Sequence, residues 1–513
     1  MKTPRHFSKL ISLFTAVMLL LSLSAAAIAS DAGMFQVVIT DNFSGMDPLR
    51  TNDRASTYVN AQIYETLYFI NREGDIVPLL AAELPSFSED GKTVTIKLRD
   101  GVLFHDGTPF NAEAVKYTFE LIKDPDFGSA RASLTASMDT IETVDDLTLK
   151  IGLKYEDGVL TAKLAHTNSA IVSPTAQSNQ DLMIDPCGTG PYKFVSSVSG
   201  SNVVLTRFDD YWGDKPAIKD VTMTVILEEA TALARLETGE ADFIPSLSVE
   251  ALPRVQFMQG VTLANHDSAQ IYYVALRPNS FVNPLMANKD FRTAIIKSLD
   301  KESYVNFVLE GHATVAKSVI GPRVFGYTEA AEAADIGFDL EGAKKLIQDN
   351  GWADEEIHFL VPTSAVYTPM GEFFQANMKA AGFNNVKMEM IDWSAWLTES
   401  KTDDRFDVTL AAWSKVTRDG TELLEPNWHS QVSARNKINN DAFDQLVYDS
   451  KTTVVAEKRV AALEKANMML MQEAYAAPVF NNENNFAYNS VKYKNVDLTA
   501  DGSFYIKEFE PVD

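Results

Sequence analysis

The chain has 513 residues, with 45 Lys and Arg against 70 Asp and Glu, for a formal net charge of −25. An acidic surface of that size repels phosphate backbones and anionic headgroups, which speaks against nucleic acid and membrane surfaces as partners. One cysteine, Cys187, excludes an internal disulfide, and the length predicts two or three lobes rather than a single core.

Residues 1–29 read as a cleavable export signal. Lys2, Arg5 and Lys9 open it, an apolar run from 10 to 23 follows, and Ala27-Ile28-Ala29 fits cleavage after Ala29. The run is shorter than the ~20 apolar residues of a membrane span. It carries no cysteine for a lipid. The expected product is free in the periplasm, monomeric, without stable membrane insertion. Its charge is −28, because the leader removes three cations and no acid.

Beyond the leader, strand and helix patterns alternate. Residues 93–98 alternate polar and apolar after the turn 89–92, which predicts a half-buried strand. Asn111 is placed to cap a helix over 112–123, with Val115, Phe119 and Ile122 on one face and Pro125 beyond its end. Strand 222–226 leads to helix 228–237, closed by Gly239. Residues 291–309 predict one long amphipathic helix. Asp339 caps a helix ending at Gly351, a third runs over 369–380, and strands follow at 386–391 and 406–412. The last helix covers 457–474. Such alternation predicts an α/β protein with at least partly parallel sheets.

Motifs for catalysis are missing. There is no G-x-S-x-G and no H-E-x-x-H, and the six histidines after the leader share no chelating spacing. Gly188-Thr189-Gly190 precedes Pro191, so it reads as a tight turn rather than a phosphate loop. Cys187 reads as buried and inert, and His105-Asp106 as a turn. Four of six tryptophans, Trp393, Trp396, Trp413 and Trp428, fall within 36 consecutive positions. Trp396 reads as core; Trp393 and Trp413 suit core or pocket equally.

Five segments carry a family resemblance: 98–115 (Leu-Arg-Asp-Gly-Val-Leu-Phe-His-Asp-Gly-Thr-Pro-Phe-Asn-Ala-Glu-Ala-Val), 188–194 with 211–216, 234–242, 290–302, and the trio 392–393, 405–407 and 412–414. In order and spacing they resemble the extracellular solute-binding protein family 5, the oligopeptide-, dipeptide- and nickel-binding receptors of ABC importers. The resemblance implies a periplasmic binding protein type II-like α/β fold: two main lobes around a hinged cleft, and a smaller inserted lobe. Lobe I is expected at 30–70, 185–268 and 478–513, lobe II at 71–184, and lobe III at 269–477.

The implied function is capture of a dipeptide, short peptide or peptide-like solute by lobe closure, and delivery to permease subunits. It involves no catalysis, cofactor or metal. A nickel chelate, haem or an oligosaccharide is the alternative ligand, and a secreted hydrolase the alternative class. The resemblance assigns ligand contacts to Ala412, Trp413 and Ser414, to the pocket-lining Trp393, and to the loop at Met46 and Asp47. Peptide-binding relatives place an aspartate three residues after the tryptophan; here that position is Val416, and Asp419 becomes the candidate partner for a ligand ammonium, with Glu422 next. His429 raises the nickel alternative, but in its Trp-His-Ser setting it reads as an exposed loop residue, and a single imidazole is a poor nickel site without a chelating ligand. Arg54, Arg277 and Arg418 are candidates for bidentate carboxylate binding, with an ordinary surface arginine the commoner outcome for each.

Overall fold

The computed structural model describes residues 33–402, 405–414, 417–433, 435–436, 438–499 and 501–512. The leader-like stretch and Val416 lie outside them. Strands β1 (Met34–Ile39), β2 (Thr93–Lys97), β3 (Met138–Asp145) and β4 (Thr148–Leu153) come first, with helices α1 (Arg54–Ile63) and α2 (Ala112–Lys123). Then follow β5 (Tyr192–Val198), β6 (Asn202–Arg207), β7 (Asp220–Val225), α3 (Glu229–Glu237), β8 (Phe243–Ile244) and the long β9 (Val261–Leu276). The next stretch holds α4 (Lys289–Ser298), α5 (Leu340–Asn350), β10 (Glu356–Pro362), α6 (Tyr367–Ala381), β11 (Asn385–Ile391), α7 (Trp393–Glu399) and β12 (Val408–Trp413). The chain closes with α8 (Gly420–Trp428), α9 (Asp441–Thr452), α10 (Ala456–Gln472) and the long β13 (Ala476–Asn489).

One mixed sheet runs through the molecule in the order β11-β10-β12-β9-β13-β8-β1-β7-β6-β5. β1 pairs in parallel with β7 and β8, and β10 pairs in parallel with β11 and β12. The antiparallel pair β9 and β13 belongs to both halves. Its ladder breaks between Asp267 and Ile271, where Ser268, Ala269 and Gln270 bulge opposite the single residue Asn482. A bulge bends and twists a strand locally, so the crossing between the halves is also the least regular part of the sheet.

Each half has its own apolar packing. In the second half Phe291, Phe359, Phe374 and Leu410 pack on one face of the sheet. Trp396, Leu423, Trp428 and Leu463 pack on the other. In the first half Leu233, Leu236, Leu252 and Val255 cover one face. On its opposite face a single buried cluster joins Phe35 and Tyr58 to Ile96, Phe119 and Leu160, so segment 71–184 shares a core with the strands that flank it. That segment builds its own four-stranded sheet from 86–87, β2, β4 and β3.

Local sequence signals account for many element ends. Asn111 caps α2, accepting from the Ala114 N–H at 3.1 Å. Asp339 caps α5, and Gly351 and Gly382 close α5 and α6 with left-handed backbone. The helix expected over 291–309 is interrupted. Asp300 turns out of helical geometry and caps a new turn by accepting from Ser303 N–H, and a π-type turn follows at Tyr304–Val308. Gly188 and Gly190 lie against the backbone of Ile63, where an added Cβ would collide with main-chain atoms.

Candidate functional site

A cavity of about 620 Å³ opens where the two halves and segment 71–184 meet. That volume falls within the roughly 300–1,000 Å³ typical of small-molecule sites. The first half contributes Asn52, Arg54, Thr57 and Tyr58 from the start of α1, and Asn484, Asp501 and Ser503 from the C-terminal stretch. The bulge Ser268–Gln270 forms part of the wall. Segment 71–184 adds Arg131, Ser133, Tyr155, Asp157, Lys163 and His166. The second half adds Ser414, Thr417, Thr421, Glu422, Glu425 and Lys451.

The wall is strongly polar, and much of its charge is already paired. Lys163 meets Asp157 at 2.7 Å, and Asp157 also accepts from Ser137 Oγ at 2.6 Å. Lys451 meets Glu425 at 2.7 Å. Asp501 is held in a turn, where it accepts from Thr499 and Ser503. Glu422 accepts from Thr417 Oγ1 at 2.7 Å. A backbone hydrogen bond from Gly158 N–H to the Lys451 carbonyl, 2.7 Å, joins segment 71–184 directly to the second half beside the cavity. Tyr58 is 2% exposed and its hydroxyl is among the buried polar atoms without a hydrogen-bond partner. Burial is the largest influence on its ionisation and raises its pKa to about 12, so it is a neutral O–H at physiological pH.

Of the seven residues expected to touch ligand, the cavity wall includes Ser414. Ala412 and Trp413 lie in β12, paired with Tyr272 and Ile271 of β9. Trp413 is 6% exposed and its indole N–H donates to the Glu422 carbonyl at 3.2 Å, so its ring belongs to the core of the second half. Trp393 is 43% exposed and stacks between Tyr367 and Trp396, with ring centroids 5.9 and 5.1 Å away, outside the cavity wall. Met46 is buried in the core of the first half. Asp47 is buried behind it, accepting from Leu49 N–H at 2.9 Å, and burial raises its pKa.

Asp419 is turned inward. It is 1% exposed, caps α8 through Thr421 N–H, and faces the Arg459 guanidinium at 2.8 and 2.9 Å. Both carboxylate oxygens are thereby engaged within the second half. Three residues further on, about one helical turn, Glu422 reaches the cavity.

The arginines separate as well. Arg277 is buried and donates to the carbonyls of Arg435, Thr402 and Ser400. Arg418 is buried and donates to the Ile70 carbonyl at 3.4 Å. Arg54 lines the cavity. His429 accepts from Gln431 N–H and lies 3.8 Å from Asp444. Among the described residues, no three His, Cys, Asp or Glu side chains gather as metal ligands.

Sequence reasoning missed Arg131, Tyr58, Lys163 and Lys451. The available signal for Arg131 was its setting, the small and polar run 128–133, which marks a surface loop suited to binding. Lys163 and Lys451 sit on ordinary helices, and only the tertiary fold brings them to one cavity.

A mixed sheet bent around a polar cavity, with two long strands crossing beneath it, is the architecture of a bilobal binding protein. The family of bacterial extracellular solute-binding proteins, family 5 (middle part), matches residues 75–435, and the chain belongs to it. The glutathione-binding protein GsiB of Pectobacterium atrosepticum is 29% identical over 321 residues, 62% of this chain and 61% of the relative. GsiB of Shigella flexneri is 30% identical over 352 residues, 68% and 66%. The matched stretch thus spans 61 to 66% of those relatives' own length. HbpA2 of Haemophilus parasuis has the same fold, with a TM-score of 0.85 at 21% identity, over 94% of this chain and all of that one.

Proposed function

We propose that the protein is the extracytoplasmic receptor of an ABC importer, taking a short peptide or a glutathione-like peptide into the cavity between its halves. It hands the solute to the permease subunits and performs no chemistry on it. The observation that carries this reading is the polar cavity of about 620 Å³ walled by both halves and floored by the bulged crossing strands. A ligand touching both walls binds the closed arrangement more tightly and shifts the population towards it by that difference in affinity. The glutathione-binding names of the relatives support a peptide-like solute.

In this reading the leader is cleaved and the product is free in the periplasm. Lobe I (30–70, 185–268, 478–513), the inserted lobe II (71–184) and lobe III (269–477) are the moving parts. Glu422, rather than Asp419, meets the ligand's ammonium, because it lines the cavity while Asp419 is engaged by Arg459. Calorimetry against glutathione and a mixed set of di- and tripeptides tests the proposal. Saturable heat from a member of that set is the expected result. Silence across the set, together with a clear signal from a nickel chelate or an oligosaccharide, overturns it.

A further inference from the structure

The cavity wall contains two guanidinium groups of unusual standing. Lys163 and Lys451 are neutralised by Asp157 and Glu425. Arg54 and Arg131 are not: among the described residues, neither has a carboxylate within 4 Å. Arg54 donates to Ser246 Oγ at 3.4 Å and lies beside the Tyr58 hydroxyl, and the Arg131 guanidinium makes no hydrogen bond to a described residue. In a chain of net charge −25, acids are abundant, so two guanidinium groups without an acid in one cavity call for anions from outside.

Both are carried on one braced wall. The segment leading to Arg54 is held where Asn168 Nδ2 donates to the carbonyls of Pro48 and Thr51, at 2.5 Å each. The loop leading to Arg131 is pinned to the same segment, because Ala130 N–H and Ser129 Oγ both donate to the Leu49 carbonyl, at 2.9 and 3.2 Å. The Tyr58 hydroxyl, buried beside Arg54, lines the same cavity one turn after Arg54 on α1. An O–H donor kept neutral by burial complements a carboxylate or carbonyl oxygen. A backbone held from both sides fixes where the guanidinium stems start, which lowers the ordering cost of a bidentate contact.

We propose that Arg54 and Arg131, with Tyr58, form a two-carboxylate clamp that makes the site selective for peptides carrying two carboxylates. Peptides bearing the terminal carboxylate alone are bound more weakly. The inference rests on the peptide-receptor reading and names the substrate class within it.

The test is calorimetry on the full mature chain with four probes: glutathione, its glycine ethyl ester, Glu-Ala-Gly, and the neutral isostere Gln-Ala-Gly. Removing one carboxylate, by esterification or by Glu-to-Gln exchange, is expected to weaken binding at least tenfold. In Arg131→Gln or Arg54→Gln, the dicarboxylate probes weaken at least tenfold, while the gap between them and the monocarboxylate probes narrows below threefold. Equal affinity of wild type for paired probes overturns the clamp and leaves the peptide reading standing. A gap that persists in both variants overturns the assignment to these arginines. No heat from any of the four probes, or from Ala-Ala-Ala, overturns the clamp together with the reading it rests on.

Discussion

Two acids at the start of α8 differ in burial: Asp419 is turned into the second half and Glu422 lines the cavity. Asp419 caps the helix and pairs with Arg459, which is itself buried and also donates to the Ser450 carbonyl at 2.7 Å. Removing the carboxylate leaves a guanidinium in the interior without its counter-charge. Asp419→Ala is therefore expected to cost about 3–5 kcal/mol of stability, read by chemical denaturation. Glu422→Gln, on the cavity wall, should leave the denaturation midpoint within a few tenths of a molar and weaken peptide binding instead. The reverse pattern, with Asp419→Ala stable and binding abolished, would return the ammonium to Asp419.

A second residue sets a pH limit. His105 accepts from Gly188 N–H at Nδ1, and its Nε2 lies 2.9 Å from the Gly190 carbonyl, so the neutral ring with its proton on Nε2 fits both contacts. Burial is the main cause that lowers its pKa from 6.5 to about 4. Between those values the unfolded chain binds a proton that the folded chain does not, so stability falls as pH drops through that window. The contribution is fully present above pH 6.5. The loss from pH 7 to 4.5 should be about 2 kcal/mol, and His105→Gln should flatten that part of the profile. An unchanged slope in the variant would assign the acid sensitivity to other groups.

At the scale of elements, segment 71–184 meets the second half through a main-chain hydrogen bond beside the cavity and through Arg323, which donates to the Arg72 carbonyl at 3.3 Å. Gly158 donates to the Lys451 carbonyl, and a Cβ at position 158 would strike the Thr453 carbonyl and the Arg459 side chain. Gly158→Val should therefore force 156–160 away from 451–459 and open the cavity on that side. We expect at least a tenfold loss of peptide affinity and a larger radius of gyration by small-angle scattering, with the thermal midpoint lowered by only a few degrees. Wild-type affinity in that variant would show that the contact is incidental to binding.

Elements are also where the sequence was most legible. Helix α2 with its Asn111 cap, the Gly351 and Gly382 closures and the strand Thr93–Lys97 are local signals, and they survive folding. The break at Asp300 was hidden, because Phe291 to Leu309 keeps a helical apolar pattern while one side chain captures the backbone. The β9 bulge has no local signal: it shows only in register with β13, some two hundred residues away. The site suffered for the same reason. The family resemblance pointed to Trp393 and Trp413, which by pattern alone suited core or pocket equally, yet β12 directs the second ring into the core, and the cavity is walled by hydrophilic residues from distant segments.

For the whole molecule, charge and architecture work at different ranges. The net charge of −25 repels anionic polymers at a distance, but salt screens it beyond about 10 Å, and the cavity wall balances Arg54, Arg131, Lys163 and Lys451 against Asp157, Glu422, Glu425 and Asp501. An anionic peptide can therefore be held within an acidic protein. Each half has its own apolar packing on a continuous sheet, so the proposed closure about β9 and β13 would break neither core. Closure moving the population from 1:99 to 99:1 would need about 5.5 kcal/mol of differential affinity, within reach of several cross-cavity hydrogen bonds.

Hydrogen–deuterium exchange with and without saturating peptide tests the central claim most directly. Protection is expected at three separated places together: 52–60 on the first half, 131–135 on segment 71–184, and 420–428 on the second half, with smaller changes at the bulge 268–270. Protection confined to one half, or centred away from these segments, would contradict a ligand held between the two halves.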